Sequence, residues 1–245
     1  MELVNFSSET SQGPFLNVNE DGYDFDFDNE LYMLFDGYGG HGIGDKCVEE
    51  LKMNIKKFFS NFVQDRDATM PFFYSPKYLL EGNTLINAAL FTHYELYKKN
   101  ITKEISERAG ASGILLCKSE SIMTLVSTGN CRAYLARKGK ISKLFIDDSM
   151  QFLKKDNYES HLKNIPLSGF GLFPDLHYQV RELRVCKGDK IVVLTDGVYS
   201  RVDEREISSV LIRPTIDIRS KIDELFQMSN ERGNLDNQSC IILEY

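Results

Sequence analysis

The stretch that decides the fold is residues 30–44, ELYMLFDGYGGHGIG. Its first part, residues 30–35, is apolar, which predicts a β-strand that ends at Asp36. Residues 36–44 contain five glycines, which predicts a tight loop. After the loop, apolar residues recur every three or four positions, so we expect an amphipathic helix with one buried face. That face comprises Ile43, Cys47, Leu51, Ile55, Phe58 and Phe62.

The rest of the chain alternates helical and strand-like segments. A second helix is predicted over residues 84–105, with Ile86, Leu90, His93, Tyr97 and Ile101 on its inner face. Strands are predicted at residues 113–117, 121–127, 132–136, 140–145, 178–185, 191–195 and 239–245, and further helices at 204–212 and 216–232. We interpret the third and fourth of these strands as a hairpin, and the fifth and sixth as another pair.

Strands that follow one another directly favour antiparallel pairing, and a helix with one apolar face must cover a sheet. The prediction is therefore an α+β fold: a four-layer α-β-β-α sandwich with two antiparallel sheets at the centre. We expect residues 1–245 to form this as one domain.

Charge and composition exclude several classes of function. The net charge is −7 and the pI is about 5.2. These values argue against nucleic acid and against an anionic membrane surface as partners. The polar start MELVNFSSETSQG and the lack of a long apolar run predict a cytoplasmic protein, which we expect to be a monomer. Five scattered cysteines without a CxxC pair indicate free, buried thiols.

Three aspartates share a local context, because each lies at the end of an apolar strand or just before one. Asp36 follows LYMLF, Asp196 follows IVVLT and Asp236 precedes SCIILEY. If these strand ends converge, their carboxylates suit a hard divalent cation such as Mg²⁺ or Mn²⁺. Gly37 and Gly197 follow the first two, and we interpret them as leaving the backbone open to metal, water and substrate. Asp-Gly is also a common turn dipeptide, so one such pair alone indicates little.

Five short motifs occur in a fixed order along the chain. They are Asn19-Glu20-Asp21, DGYGGH at residues 36–41, GNCRA at 129–133, LTDG at 194–197 and DN at 236–237. The first, taken alone, also fits a solvated acidic turn. In this order and spacing they resemble the motifs of the metal-dependent serine/threonine protein phosphatases of the PPM (type 2C) family, in the form of its compact bacterial members. The resemblance runs from about residue 13 to the C-terminus.

The resemblance implies a role for each of these acidic residues. Asp36, Asp196 and Asp236 match the catalytic aspartates that ligate two Mn²⁺ or Mg²⁺ ions. Asp36 would bridge the two ions, and the carbonyl of Gly37 would bind one of them. Two further residues, Glu20 and Asp21, match acidic positions that hold metal-bound water. Such enzymes hydrolyse phosphoserine and phosphothreonine with a water activated by two metals. The implied partners are phosphorylated proteins, namely a serine/threonine kinase or its targets.

Three positions depart from the family pattern. Leu16 stands where the family has an Arg that grips the substrate phosphate, which predicts weaker binding of phosphosubstrate. Tyr38 stands where eukaryotic members carry a His proposed as general acid, and we interpret it as a ring that lines the cleft. Asn130 replaces an Asp that helps to hold a third metal, so we expect that third site to be weak or empty. These departures keep open an alternative: a catalytically weak pseudophosphatase that acts as a binding or scaffolding module.

The remaining candidates are assigned structural roles. We interpret His41 as a hydrogen-bonded residue at a loop–helix junction, His93 as a core residue and Arg132 as a structural partner. Residues 147–167 correspond to a flap beside the site in the family. The flap region carries three lysines that we interpret as a solvated face: Lys154, Lys155 and Lys163.

Overall fold

The computed structural model describes residues 1–39, 42–65, 69–149, 166–214 and 217–245. The strands are β1 (Asn5–Ser11), β2 (Asp21–Asp26), β3 (Leu31–Gly39), β4 (Ala109–Ser119), β5 (Ile122–Thr128), β6 (Arg132–Arg137), β7 (Lys140–Lys143), β8 (Gln179–Arg184), β9 (Lys190–Leu194) and β10 (Gln238–Glu244). The helices are α1 (Gly44–Gln64), α2 (Leu80–Asn100), α3 (Asp196–Tyr199), α4 (Glu204–Ile212) and α5 (Ile218–Glu231), with a 3₁₀ turn at Ile105–Glu107.

Two antiparallel five-stranded sheets form the centre. One has the strand order β1-β10-β9-β6-β7 and the other β2-β3-β4-β5-β8. Strand β3 shows why four layers result. Leu31, Met33 and Phe35 face α1 and α2, whereas Tyr32 and Leu34 face the opposite sheet. On the outer face of that opposite sheet, β9 and β10 pack against α4 and α5. The predicted α-β-β-α sandwich is confirmed.

The two long helices form as predicted, with shifted ends for the second. On α1, Cys47, Leu51 and Ile55 are buried as expected. Helix α2 lies about four residues earlier in the chain than the predicted range of 84–105. Its side chains explain both ends: Asn83 donates to the carbonyls of the preceding turn, and Asn100 donates to the Ala109 and Gly171 carbonyls beyond the helix.

The prediction that residues 36–44 form a loop was wrong for residues 36–39, which belong to a strand. Strand β3 continues through Gly39, so Asp36 lies inside the strand and not at its end. Residues Gly37 to Gly39 pair with the start of β4, from Ala111 back to Ala109. Small residues on both strands allow this close pairing, which the glycine count alone does not reveal.

The pairing of residues 178–185 with 191–195 was also wrong, because these strands belong to different sheets. Strand β8 pairs with β5, whereas β9 lies between β10 and β6. Gly188, at a φ of +85°, lies in the turn where the chain passes from one sheet to the other. The hairpin of β6 and β7, with Lys138 and Gly139 at positive φ, is confirmed.

Strands β1 and β2 were not predicted. The acidic segment that contains β2 looked like a solvated turn, yet Tyr23 and Phe25 pack between the sheets, while Asp24 pairs with Lys56 of α1 at 2.9 Å. All five cysteines are free thiols, and Cys186 is exposed, contrary to expectation. In the described ranges, no helix has the length and apolar character needed to cross a membrane.

Candidate active site

The candidate site lies at one end of the two sheets, beyond the apolar residues packed between them. Asp36 continues the inward-facing row of Tyr32 and Leu34 on β3, two residues beyond the apolar filling. Asp21 is the cross-strand partner of Asp36 on β2. On the facing sheet, β9 ends at Leu194, and Asp196 follows as the first residue of α3.

A buried threonine joins the two sheets beneath these carboxylates. The Thr195 hydroxyl donates to Asp21 Oδ2 at 2.8 Å and accepts from the Ser239 backbone N–H at 2.8 Å. Thr195 is fully buried. It therefore fixes the side chain of Asp21 relative to β9 and β10 of the other sheet.

Asn237 organises the outer part of the site. Its Oδ1 accepts from the Glu20 backbone N–H at 2.9 Å, and its Nδ2 donates to the carbonyls of Gln12 and Val18 at 2.8 and 3.1 Å. The Asn237 N–H also donates to Asp236 Oδ1 at 2.9 Å. The sequence marked Asn237 as part of a motif, but its role as a clamp between the two chain segments is visible only in the structure.

Burial raises the pKa values of all five predicted carboxyl groups, and repulsion by neighbouring carboxylates adds to this in Glu20, Asp21, Asp36 and Asp196. For Asp36, burial is the largest cause, followed by the charges of Asp196, Asp21, Asp236 and Glu20. Burial, with the charge of Asp236, raises the pKa of Asp196 to about 7. The pKa values of Asp21, Glu20 and Asp236 are raised chiefly by burial as well. The structure thus brings the predicted acidic residues within electrostatic reach of one another.

No basic side chain among the described residues forms an ion pair with these carboxylates, although the charge of Arg132 partly lowers the pKa of Asp196. None of the ion pairs found there includes Glu20, Asp21, Asp36, Asp196 or Asp236. Asp196 Oδ1 is buried and has no hydrogen-bond donor within the same ranges. Carboxylate oxygens of this kind are the donors that Mg²⁺ and Mn²⁺ prefer, so the residues present fit such ions. In the part of the chain described, however, no three His, Cys, Asp or Glu side chains form a ready-made metal-ligand group.

The structure gives a different reason for the two glycines that follow the aspartates. A Cβ on Gly37 would overlap the Glu20 carbonyl oxygen and approach the Gly44 carbonyl oxygen. A Cβ on Gly197 would overlap the Asn237 carbonyl oxygen. Both glycines are therefore needed for close packing of the protein's own backbone around the carboxylates.

Asn130 and Arg132 support Asp196 from the GNCRA segment. Asn130 Nδ2 donates to Asp196 Oδ2 at 3.1 Å, and the Tyr199 hydroxyl donates to the Asn130 carbonyl at 2.6 Å. Arg132 binds Asp147 through Nε and Nη2 at 3.2 and 2.7 Å and stacks on the Tyr199 ring, 3.7 Å from its centre. The structural role predicted for Arg132 is confirmed.

Two other predicted residues, Tyr38 and His93, lie in the part of the chain that the structure describes. Tyr38 packs against Gly110 and Gly169, and burial, together with the charge of Asp36, raises its pKa above the ordinary value. Its hydroxyl therefore stays protonated and makes a poor proton donor at neutral pH. His93 is a buried core residue as predicted, and its Nδ1 accepts from the Gly171 N–H at 3.1 Å. The predicted residues outside the described ranges are Gly40, His41, Lys154, Lys155 and Lys163.

Comparison with solved structures decides the fold family. The PPM Ser-Thr phosphatase MsPP from Mycobacterium smegmatis, solved with cacodylate, superposes with a TM-score of 0.79 at 18% identity, covering 100% of this chain and 99% of that one. PppA, a regulatory component of the type VI secretion system in Pseudomonas aeruginosa, also gives 0.79, at 20% identity over 98% and 96% of the two chains. This chain has the PPM serine/threonine phosphatase fold.

Sequence comparison adds one curated relative. Protein phosphatase 1K, mitochondrial, of Xenopus laevis is 21% identical over 238 residues, which is 87% of this chain and 60% of that protein. The chain thus spans about three fifths of the length of this relative. No protein-family model matches the sequence. At these identities the PPM likeness is one of fold, and the activity must be argued from the site.

Proposed function

We propose that this chain is a metal-dependent phosphoprotein phosphatase that hydrolyses phosphoserine and phosphothreonine. Its metal ligands would be Asp36, Asp196, Asp236 and the Gly37 carbonyl, with Glu20 and Asp21 holding water in the outer shell. The group bound there would be two Mn²⁺ or Mg²⁺ ions. Once bound, these ions would activate a water as nucleophile and neutralise charge on the phosphoryl oxygens. A serine/threonine kinase or its targets would supply the phosphorylated substrate.

The chain's own residues hold the carboxylates in position for this task. Asn130 occupies one oxygen of Asp196 and leaves Oδ1 available to a cation. The Gly44 backbone N–H, at the start of α1, donates to Glu20 Oε1 at 2.6 Å and orients that carboxylate. Thr195 does the same for Asp21. Asp196, Glu20 and Asp21 thus each have a fixed contact to a neutral donor, and none of the three forms an ion pair among the described residues.

One observation carries the proposal: several raised-pKa carboxylates share one end of the sandwich without a basic partner in the described residues. Buried charges are normally paired, and an unpaired cluster costs stability unless a cation binds it. The likeness of fold to MsPP, a phosphatase solved with the oxyanion cacodylate, supports the same chemistry.

The experiment is hydrolysis of p-nitrophenyl phosphate and of a phosphothreonine peptide with Mn²⁺, Mg²⁺ or chelator. We expect hydrolysis only with metal, and loss of at least about 100-fold in Asp36→Asn because a carboxylate that would hold the ions is replaced by an amide. Asp24→Asn is the matched control, since Asp24 lies on the strand paired with β3 but is bound to Lys56. Hydrolysis at an unchanged rate in chelator, or in the Asp36→Asn variant, would overturn the proposal.

The second candidate is a pseudophosphatase that binds phosphoproteins and turns them over slowly. It is favoured by the Asn130 amide in place of a carboxylate and by Leu16 in place of an Arg. Metal-dependent binding of a phosphopeptide without release of phosphate would assign the chain to this class.

A further inference from the structure

Beside the carboxylates lies an exposed apolar surface, which we call the apolar rim. It comprises Phe15, Leu16, Val18 and Leu235. We infer that the apolar rim selects phosphoprotein segments that carry a large apolar side chain next to the phosphorylated serine or threonine. This inference rests on the proposed function and adds a substrate preference to it.

The apolar rim is strongly exposed. Phe15 and Leu235 are 65% and 61% exposed, and Val18 and Leu16 are 40% and 38% exposed. Large apolar side chains that are exposed on two adjoining segments beside a polar site mark a place where another molecule can bind. Single exposed apolar residues would need no such explanation.

Two distant chain segments build the rim, and they are locked together. The Asn237 amide donates to the carbonyls of Gln12 and Val18, which spans the first segment. Gly13, at a φ of +76°, lies so close to the Asp236 carbonyl oxygen that a Cβ would overlap it. Since that carbonyl also accepts from Asn234 Nδ2 at 2.7 Å, the turn beneath Leu235 is fixed. The backbone that carries the rim is therefore held in place.

Its position points to the substrate as occupant. Val18 precedes Glu20 by two residues, and Leu235 directly precedes Asp236, so the rim adjoins the carboxylates on two sides. Residues 12–19 carry no charge, and residues 233–238 carry only Asp236. Neither segment can hold a phosphate by a cation. Besides amide side chains, both offer apolar area to a bound peptide, and burying it on binding favours an apolar neighbour of the phosphorylated residue.

The test compares two phosphothreonine peptides that differ only in the flanking residues, Leu in one and Ser in the other. With Mn²⁺, we expect kcat/KM for the Leu peptide to exceed that for the Ser peptide about tenfold. In the double variant Phe15→Ser/Leu235→Ser this ratio should fall to within about twofold of one. Each single variant should lower it partly, which covers the case in which the double variant folds poorly. Val4→Ser, at an exposed apolar residue at the far end of β1, should keep the ratio.

Two outcomes overturn the inference while the proposed function stands: equal rates for the two peptides, or a preference that the double variant retains. A concentration-dependent dimer in light scattering that the double variant abolishes would assign the rim to a second copy, and would also overturn it. If neither peptide nor p-nitrophenyl phosphate is hydrolysed, the proposed function fails. Fluorescence anisotropy with phosphonate analogues of both peptides then decides: tighter binding of the Leu peptide supports the rim, and equal binding overturns it.

Discussion

Strand β9 has a buried aspartate beside each end, and the two have opposite surroundings. Asp189, 1% exposed, binds the Arg137 Nε through Oδ1 at 2.8 Å and the Cys186 N–H through Oδ2 at 2.7 Å. Asp196, 7% exposed, accepts one bond from the Asn130 amide and has a second oxygen without a donor among the described residues. Two aspartates of similar burial beside one strand therefore differ in whether a basic side chain binds them.

The difference separates a stabilising carboxylate from one suited to function. A buried charge that is paired and hydrogen-bonded holds two elements together. A buried charge surrounded by other carboxylates raises the free energy of the folded state until a cation binds. The local sequences KGDKI and LTDGV do not distinguish these cases, since both place an Asp beside a glycine.

The largest expected effect is on catalysis. Asp196→Asn should lower Mn²⁺-dependent hydrolysis of p-nitrophenyl phosphate by at least about 1000-fold, because an amide is a poor ligand for a hard cation. Asp189→Asn, the control at the other end of the strand, should keep the rate within about threefold when measured well below its unfolding temperature. A rate for Asp196→Asn within tenfold of the unmodified protein would contradict the assigned role.

The second prediction concerns the metal-free protein and pH. The folded-state pKa of Asp196, about 7, lies above its ordinary value of 3.8, so the folded state holds this proton more tightly than the unfolded state. Its contribution to stability is fully present below about pH 4 and is lost as pH rises through 7. In chelator, we expect a loss of about 4 kcal/mol across this window.

Urea unfolding at successive pH values measures this loss, and Asp196→Asn isolates it. The amide does not titrate, so the variant should lose less stability than the unmodified protein over the same range. Saturating Mn²⁺ should remove most of the fall. Parallel pH profiles for the two proteins in chelator would argue against a raised pKa at Asp196.

The third prediction concerns the other end of β9, where the charged carboxylate is expected to stabilise the folded state. Asp189→Asn should lower the free energy of unfolding by about 2 kcal/mol, because it leaves Arg137 without its bidentate partner. Arg137 is partly exposed, which keeps the loss below that of a fully buried pair. Urea unfolding in chelator tests this, with Arg137→Gln as the reciprocal variant. Stability unchanged in both would show that the pair contributes nothing.

The smallest expected effect comes from adding a cationic side chain beside the carboxylates of the candidate site. Leu16→Arg should lower KM for a phosphothreonine peptide about tenfold, through a charge-assisted bond to the phosphate. The gain should shrink at high salt. Val4→Arg adds the same charge at the far end of β1 and should leave KM unchanged. An unaltered KM in Leu16→Arg would show that position 16 does not reach the phosphate.

The sequence alone was sufficient wherever the deciding interactions are local. The buried face of α1, the hairpin of β6 and β7 and the strand β10 follow from side-chain periodicity and turn residues. Asp36, Asp196 and Asp236 could be singled out because each adjoins an apolar run of the sequence. Strand β2 was not predicted, because the acidic residues of its polar outer face made the segment resemble a solvated turn. Its inward-facing residues are Tyr23 and Phe25.

Only the tertiary structure decided which distant segments meet. Sheet membership of β8 and β9 depends on which strands have unpaired edges, and no local pattern records that. The clamp formed by Asn237 joins residues more than 200 positions apart. The contrast between Asp189 and Asp196 likewise depends on whether Arg137 or other carboxylates surround the group. The sequence by itself determined which residues can be buried or charged; long-range packing decided which charges are compensated, because electrostatic energy depends on distance in space and not along the chain.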